Sequence, residues 1–149
     1  MSELIVLSGL QAAGKSTFYA ERFAATHALV SKDLWPNARN RERRQRLRVD
    51  EHLAGGRAVV VDNTNPTRAE RAPLVALALA HHARAISYAF LSSVDDALAR
   101  NAARVGRARV RDVGILSVAK VLTQPDPTEG FTDRFLVRLT ATGFVVTRV

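Results

Sequence analysis

Short apolar runs alternate along the chain with longer segments in which apolar residues recur at helical spacing. The run Leu4–Leu7 is apolar at every position, which is typical of a strand buried on both faces of a parallel sheet. Runs of this kind predict strands at 4–8, 28–31, 58–62 and 84–91, and two further strands within 134–149 on either side of 141–143. The segments between them predict helices at about 15–26, 38–53, 67–82, 94–104 and 113–121.

Strands that alternate with helices predict an α/β fold in which helices cover both faces of a parallel sheet. A chain of 149 residues fits one domain, spanning 1–149. Thr67 and Glu70 have the spacing of a capping box at the start of a helix, and Ser92 or Ser93 is expected to cap the next one. An arginine-rich segment at 105–111 lacks a helical pattern and separates the last two helices.

Composition adds one feature to this prediction, a strong positive charge. The 22 Lys and Arg residues outnumber the 14 Asp and Glu residues, which gives a net charge of +8 and a pI near 11.1. Such a surplus attracts polyanions, including nucleic acids. A basic ATP site, or a genome rich in arginine codons, would give the same excess.

Several classes of protein are excluded or disfavoured. The chain has no cysteine, so disulfides, thiolate metal sites and cysteine catalysis are excluded. The apolar run near the N-terminus is too short for a signal peptide, and no stretch approaches the roughly 20 apolar residues of a membrane span. We therefore expect a cytoplasmic protein without a membrane or disulfide partner.

The first predicted strand is followed by Gly9-Leu10-Gln11-Ala12-Ala13-Gly14-Lys15-Ser16-Thr17. Its spacing is that of a P-loop, in which backbone N–H groups surround phosphate oxygens. Lys15 is expected to reach the β- and γ-phosphates, and the Ser16 hydroxyl to ligate Mg²⁺. A chance match to an ordinary turn is the alternative, but the predicted strand before it and helix after it favour a P-loop. Nucleotide contacts are predicted for Gly9, Gln11, Ala12, Ala13, Gly14, Lys15, Ser16 and Thr17.

Two aspartates stand at the ends of predicted strands, where ligands bind in open α/β sheets. Asp62 closes the run Val59-Val60-Val61, as in a Walker B strand, and is expected to hold the magnesium site. Asp33 follows the second strand and could accept the proton of an acceptor hydroxyl during in-line attack. The alternative for each is a structural one: Asp62 would cap a turn, and Asp33 would be a helix cap or a surface charge.

Arginines are concentrated in two segments. One follows the fourth strand and its helix, and a mobile arginine segment there could neutralise the γ-phosphoryl oxygens and close the site. The other lies at 39–48, where arginines share helix faces and could line an acceptor groove, with Arg39 and Arg43 contacting substrate phosphates. A solvated basic loop and a surface helix paired with Glu42, Asp50 and Glu51 are the alternatives. The first segment contains Arg104, Arg107, Arg109 and Arg111.

The remaining residues with reactive or stacking side chains give weaker signals. The histidines show no metal-ligand spacing, and we expect them to be structural or surface residues. Trp35 could stack on a base, or it could pack at the rim of the core. The four histidines are His27, His52, His81 and His82.

Together these motifs resemble the kinase domain of the polynucleotide 5′-hydroxyl kinase family, over nearly the whole chain. The resemblance implies a single-domain P-loop kinase with a helical lid and C-terminal strands, which uses ATP and Mg²⁺. It is carried by the P-loop and by Ser31-Lys32-Asp33, Val60-Val61-Asp62-Asn63-Thr64-Asn65-Pro66, Arg100-Asn101-Ala102-Ala103-Arg104 and Pro127-Thr128-Glu129-Gly130-Phe131.

The same resemblance implies roles for individual residues. Asp33 matches the family's general base, Arg104 its lid arginine on the donor phosphates, and Arg100 a second arginine one helical turn earlier. Members of the family carry an arginine shortly after the catalytic aspartate, for which Arg39 is the nearest substitute here. Asn65, in the loop after the third strand, is a further candidate for contact with the acceptor.

Three functions fit the sequence. The first is an ATP-dependent kinase acting on the 5′-hydroxyl end of DNA or RNA, which the basic charge and the resemblance both indicate. The second is a small-molecule kinase with the same machinery, which suits the compact chain. The third is a nucleotide-dependent binding or accessory protein with little turnover.

Overall fold

The computed structural model describes residues 2–149. Within these residues six strands form one sheet in the order β2-β3-β1-β4-β5-β6. Strands β1 to β5 run parallel to their neighbours, and β6 is antiparallel to β5. The strands are β1 (Glu3–Ser8), β2 (Ala28–Val30), β3 (Val59–Asp62), β4 (Arg84–Leu91), β5 (Asp133–Thr140) and β6 (Gly143–Arg148).

Five α-helices accompany this sheet in the described residues, so the predicted α/β fold is confirmed. Short 3₁₀ turns occupy Lys32–Leu34, Gly106–Ala108 and Pro127–Glu129. None of the helices within 2–149 has the length and apolar character needed to cross a bilayer. The α-helices are α1 (Lys15–Arg22), α2 (Arg41–Ala54), α3 (Arg68–Ala80), α4 (Val94–Ala102) and α5 (Asp112–Val121).

Alternate residues of β1 contribute to two separate core clusters, as expected for a strand covered on both faces. Leu4 and Val6 pack with side chains of α2 and α3 on one face of the sheet. Ile5 and Leu7 pack on the other face with Phe18 of α1 and with residues of β4 and β5. A third cluster joins Leu10 of the P-loop to α4 and α5, so the last two helices rest directly on the loop.

The predicted caps at two helix starts are present. The Thr67 hydroxyl accepts a hydrogen bond from Glu70 N at 3.2 Å, and the Ser93 hydroxyl accepts one from Asp96 N at 3.0 Å. Each satisfies a backbone N–H that has no partner within its own helix. Ser93, and not Ser92, is therefore the cap of α4.

Two helix boundaries differ from the predicted ones in ways that move candidate site residues. Helix α2 begins at Arg41 instead of residue 38, because Asn40 takes a left-handed conformation (φ 48°) and its side chain caps Arg43 N at 3.1 Å. The prediction that Arg39 shares a face of this helix was wrong. Helix α4 ends at Ala102, which leaves Arg104 in the following segment.

Candidate functional site

Both P-loop glycines occupy positions where a side chain would collide. Gly9 has φ 139°, and a Cβ there would lie 2.8 Å from the Phe90 carbonyl oxygen. Gly14, the residue before α1, has φ 98°, and a Cβ there would lie 3.0 Å from a ring carbon of Phe144 in β6. The loop is thus fixed by the close approach of β4 on one side and of the C-terminal hairpin on the other.

The Lys15 ammonium lies inside the loop. It donates hydrogen bonds to Gly9 O at 2.9 Å and to Leu10 O at 2.6 Å, and the residue is 8% exposed. The Lys15 pKa is lowered to about 8, chiefly by burial and also by the charge of Arg104, while the charges of Asp62 and Asp33 partly offset the fall. A bound phosphate would replace the two carbonyl oxygens as the partner of this ammonium and keep it charged.

The hydroxyl of Ser16 donates a hydrogen bond to Asp62 Oδ2 at 2.7 Å, across the sheet edge between α1 and β3. Burial raises the Asp62 pKa, and the Ser16 hydrogen bond and the charge of Lys15 act against that rise. A hydroxyl and a carboxylate side by side are hard oxygen donors of the kind that Mg²⁺ prefers. No group of three or more His, Asp or Glu side chains forms a metal site within residues 2–149. Magnesium at a nucleotide needs few protein ligands, because water and phosphate supply the others.

Asp33 lies in the 3₁₀ turn directly after β2. Its backbone N–H donates to the Ser31 hydroxyl at 3.2 Å, while its own carboxylate is exposed. The charge of Asp33 acts on both Lys15 and Asp62. The structure therefore brings together Lys15, Asp33 and Asp62, which the sequence placed at the ends of three different elements.

A polar network behind Asp33 was not foreseen from the sequence. The Asn63 side chain accepts a hydrogen bond from Lys32 N at 3.0 Å and donates one to the Gln45 side chain. Gln45 is 1% exposed and lies on the stripe of α2 that also buries Val49 and Leu53. A polar residue on an otherwise apolar helical stripe is the signal that could have revealed it.

The remaining P-loop residues differ in exposure. Ala12 and Ala13 are buried, and Ala12 has a left-handed backbone (φ 62°), which is strained for a residue with a Cβ. Gln11 Oε1 is buried and accepts no hydrogen bond from the described residues. Thr17 is exposed at the start of α1.

The arginines after α4 belong to a loop closed by one side chain. Asn101 is fully buried; it donates to Val110 O at 2.7 Å and accepts from Val110 N at 3.0 Å. We call residues 103–111, which this pair of bonds closes, the lid segment. Arg104 within it donates to Ala108 O at 3.1 Å, and Arg100 in α4 donates to the Ser92 hydroxyl at 3.3 Å.

The arginines at the start of α2 are mostly without acidic partners. Arg39 and Arg43 are exposed, and neither has a carboxylate within 4 Å in the described part of the chain. The acids expected to pair with them contact other residues in two of three cases. Glu42 pairs with Lys32 and Asp50 with His81, whereas Glu51 pairs with Arg48.

Trp35 packs against the core cluster beneath α2, and the guanidinium of Arg44 lies 5.1 Å from the centre of its ring. This contact covers part of the ring that could have stacked on a base. The histidines occupy structural positions: His27 contacts Glu3 at 2.7 Å, and His52 accepts from Arg57 Nε at 2.9 Å.

Asn65 is buried beneath the end of β1. It is 4% exposed and donates a hydrogen bond to Leu7 O at 2.7 Å. Its own carbonyl accepts a hydrogen bond from Arg71 at 3.0 Å. These contacts give Asn65 a supporting position under the end of β1, which differs from the predicted contact with the acceptor.

The Glu-Gly-Phe turn near the C-terminus has a structural explanation. Glu129 forms a two-pronged ion pair with Arg71 of α3 at 2.8 and 2.9 Å, and Arg71 is fully buried. Arg71 also donates to Thr123 O at 2.9 Å. Because Arg71 also donates to Asn65 O, it connects the segment after α5 to the loop that follows β3.

Fold and site define a P-loop kinase-like domain: a parallel sheet with a phosphate loop after β1, a carboxylate closing β3, and an arginine segment resting on the loop. Residues 4–124 match the AAA domain family, and the chain belongs to that family. A comparison with curated proteins found no match.

Solved structures of kinases and related proteins share the fold. Kti12 of Chaetomium thermophilum, in complex with ADP-AlF3, is similar with a TM-score of 0.64, 19% identity, and 91% of this chain and 88% of that chain covered. A sugar kinase from a Janibacter species has a TM-score of 0.69, 13% identity, and 93% and 86% covered. A fungal RNA kinase has a TM-score of 0.69, 12% identity, and 94% and 39% covered. At these identities the likeness establishes the fold and leaves the acceptor open.

Proposed function

We propose that the protein is an ATP-dependent phosphotransferase that moves the γ-phosphate to a 5′-hydroxyl end of DNA or RNA. The observation that carries this proposal is the distribution of charge about the sheet. Arginines without carboxylate partners lie in two places: at the start of α2, where Arg41 contacts Lys32 O in the Asp33 turn, and in the lid segment, which packs against the P-loop through Val110. A polyanionic acceptor is the ligand that such an arrangement would favour.

The charges at the amino ends of the strands, on the side of the sheet opposite the P-loop, are arranged differently. There Arg84 and Arg148 both contact Asp133 at 2.5 Å, and His27 contacts Glu3 at 2.7 Å. Arg84 and Arg148 at the amino ends of the strands are therefore paired, and Arg57 on the same side contacts His52 but no carboxylate. Arginines without a carboxylate partner are concentrated instead at the start of α2 and in the lid segment, and this asymmetry supports a ligand on the P-loop side.

The chain's own residues supply the steps of the transfer. Lys15 would leave the Gly9 and Leu10 carbonyls and bind the phosphates of ATP. Asp33 would orient the acceptor hydroxyl and take its proton as the oxygen attacks phosphorus in line with the leaving ADP. Arg104 would turn from Ala108 O towards the transferred group, where its charge stabilises the transition state. Arg39 and Arg43 would contact acceptor phosphates.

Ser16 and Asp62 are the residues that would hold Mg²⁺. The ion supplies charge neutralisation between the β- and γ-phosphates when it is bound.

The test is the transfer of a labelled γ-phosphate from ATP to short 5′-hydroxyl oligonucleotides of DNA and of RNA, single-stranded and duplex. The wild-type protein should label at least one of them, and Asp33→Ala and Lys15→Ala should not. Replacing Arg39 and Arg43 by Gln should raise KM for the acceptor. Arg57→Gln removes an exposed charge at the opposite edge of the sheet and is the matched control. ATP binding without labelling of any oligonucleotide would contradict the proposed acceptor.

A small-molecule kinase is the second candidate, since a sugar kinase has the same fold. The salt concentration distinguishes the two. Binding of a polyanion releases counterions and therefore becomes weaker as the salt concentration rises, whereas binding of a neutral sugar changes little. A screen of sugars and nucleosides for ADP release, run at two salt concentrations, therefore separates them.

A further inference from the structure

A buried side chain of α2 is connected to the turn that carries Asp33 through one intermediate residue. Gln45 accepts a hydrogen bond from the Asn63 side-chain amide, and the Asn63 carbonyl oxygen accepts one from Lys32 N at 3.0 Å. Lys32 is the residue before Asp33. The path thus runs from the helix with the exposed arginines to the backbone of the turn that carries the carboxylate proposed as the base.

The Gln45 amide is buried and therefore needs hydrogen-bond partners. Gln45 is 1% exposed, on a stripe where the other residues are Val49 and Leu53. A buried amide is tolerated only when its polar atoms have partners, so an apolar residue is the ordinary occupant of such a position. The amide is therefore better explained by what it holds than by core packing.

Asn63 also stands next to Asp62, so it joins two parts of the site. Its backbone continues from the carboxylate that faces Ser16, and its side chain reaches the turn after β2. The Ser31 hydroxyl holds the same turn from the other side by accepting Asp33 N at 3.2 Å. The distance between the Asp33 turn and the end of β3 is set by these contacts.

We propose that Asn63 and Gln45 are positioning residues, which hold the Asp33 turn at a fixed place relative to the end of β3. This inference rests on the proposed function, because the placement of Asp33 matters only if Asp33 serves the acceptor. Loss of the network leaves the P-loop intact and misplaces the base. Misplacement by about an ångström is enough to lower a transfer rate on the order of 100-fold.

The experiment compares Gln45→Met and Asn63→Leu with Val49→Ala. Val49 is buried on the same stripe of α2 but its side chain makes no hydrogen bond in the network, so its variant controls for loss of stability. Four quantities are measured in each protein: kcat for oligonucleotide labelling, Kd for ATP, the rate of ATP hydrolysis without acceptor, and hydrogen exchange at the Lys32 amide.

The two network variants should lose kcat by about 10- to 100-fold, with Kd for ATP and acceptor-free hydrolysis unchanged within about twofold. Exchange at the Lys32 amide should become faster in both. The double variant should be no slower than the worse single variant, since both changes break one connection. Val49→Ala should unfold at a lower temperature and keep its kcat.

A kcat of Gln45→Met that falls no further than that of Val49→Ala overturns the inference. So does unchanged exchange at Lys32 in Asn63→Leu. If the wild-type protein labels no acceptor, the proposed function fails; the exchange measurement then decides by itself whether the network holds the Asp33 turn.

Discussion

The Ser16 hydroxyl and the Asp62 carboxylate lie 2.7 Å apart, although 46 residues separate them in the chain. The contact joins the first turn of α1 to the last residue of β3, and it places the two hard oxygen donors of the site together. Asp62 is 8% exposed, so its charge is felt strongly by Lys15 beside it. The proposed magnesium site rests on this pair.

Asp62→Asn should therefore weaken magnesium binding while the shape of the site is preserved. We expect the magnesium concentration for half-maximal transfer to rise at least about tenfold and kcat to fall by about 100-fold, because one anionic ligand is lost. The measurement is the rate of transfer against magnesium concentration, with a chelator as the zero point. Asp95→Asn, an exposed carboxylate on α4, is the control and should behave as the wild type. An unchanged magnesium dependence in Asp62→Asn would remove Asp62 from the metal site.

The depressed pKa of Lys15 predicts how stability depends on pH. The folded protein holds this group at a pKa of about 8, below the ordinary lysine value of 10.5. Between these values the unfolded chain binds the proton and the folded protein does not, so stability rises with pH across that window. Below pH 8 both states are protonated, and the unfavourable contribution of the buried charge is fully present.

The free energy of unfolding should rise by about 3 kcal/mol at most across this window, because the Lys15 pKa differs by roughly two to three units between the folded and unfolded states. Denaturant unfolding of the wild type and of Lys15→Met between pH 7 and pH 10 isolates it, since the other titrating groups are common to both proteins. The stability of the wild type relative to the variant should increase with pH above 8. Parallel curves would show that Lys15 titrates normally in the folded protein.

The sequence predicted the fold well because each element carries its own local signal. The run Val59–Val61 indicates a doubly buried strand wherever it lies in the chain, and Thr67 with Glu70 marks a helix start within four residues. The predicted helix boundaries were wrong where a single residue adopts an uncommon backbone conformation. Asn40 ends the segment before α2 by adopting a positive φ, and no periodic pattern reports that.

The candidate site was predictable only in part, for a different reason. Lys15, Ser16 and Asp62 stand in motifs whose spacing fixes their place, so the structure brings them together as expected. Gln45 and Arg71 act through partners 18 and 58 residues away, and such pairings depend on how elements pack. Asn65 lies within a motif but faces the end of β1, and a motif alone does not specify the direction of a side chain.

The buried pair of Arg71 and Glu129 should dominate the stability of the C-terminal third. Glu129→Gln would leave a buried guanidinium without its counter-charge, and breaking a buried pair in this way costs about 3–5 kcal/mol. Urea unfolding measures the loss. Arg68 and Asp126 form an exposed pair on the same two elements, so Arg68→Ala should cost less than about 1 kcal/mol and is the control. Equal losses in the two variants would contradict the role given to the buried pair.

Asn101 should control the order of the lid segment. Its carboxamide makes both hydrogen bonds to Val110 and closes the segment that carries Arg104. In Asn101→Leu an apolar side chain of similar size replaces the carboxamide, and the two backbone groups of Val110 lose their partner, so the segment opens more often. We expect cleavage by trypsin after Arg107 or Arg109 to be about tenfold faster.

The rate of transfer should fall in the same variant while Kd for ATP changes little, because the role proposed for Arg104 is to stabilise the transition state. Ala97→Gly separates this effect from a general weakening of α4. Ala97 is fully buried in that helix, and the change costs about 1 kcal/mol while leaving the Asn101 carboxamide and its bonds to Val110 in place. Trypsin should cut this control at nearly the wild-type rate within the lid segment. If Ala97→Gly and Asn101→Leu are cut equally fast there, the segment is held by the packing of α4 and not by the Asn101 carboxamide.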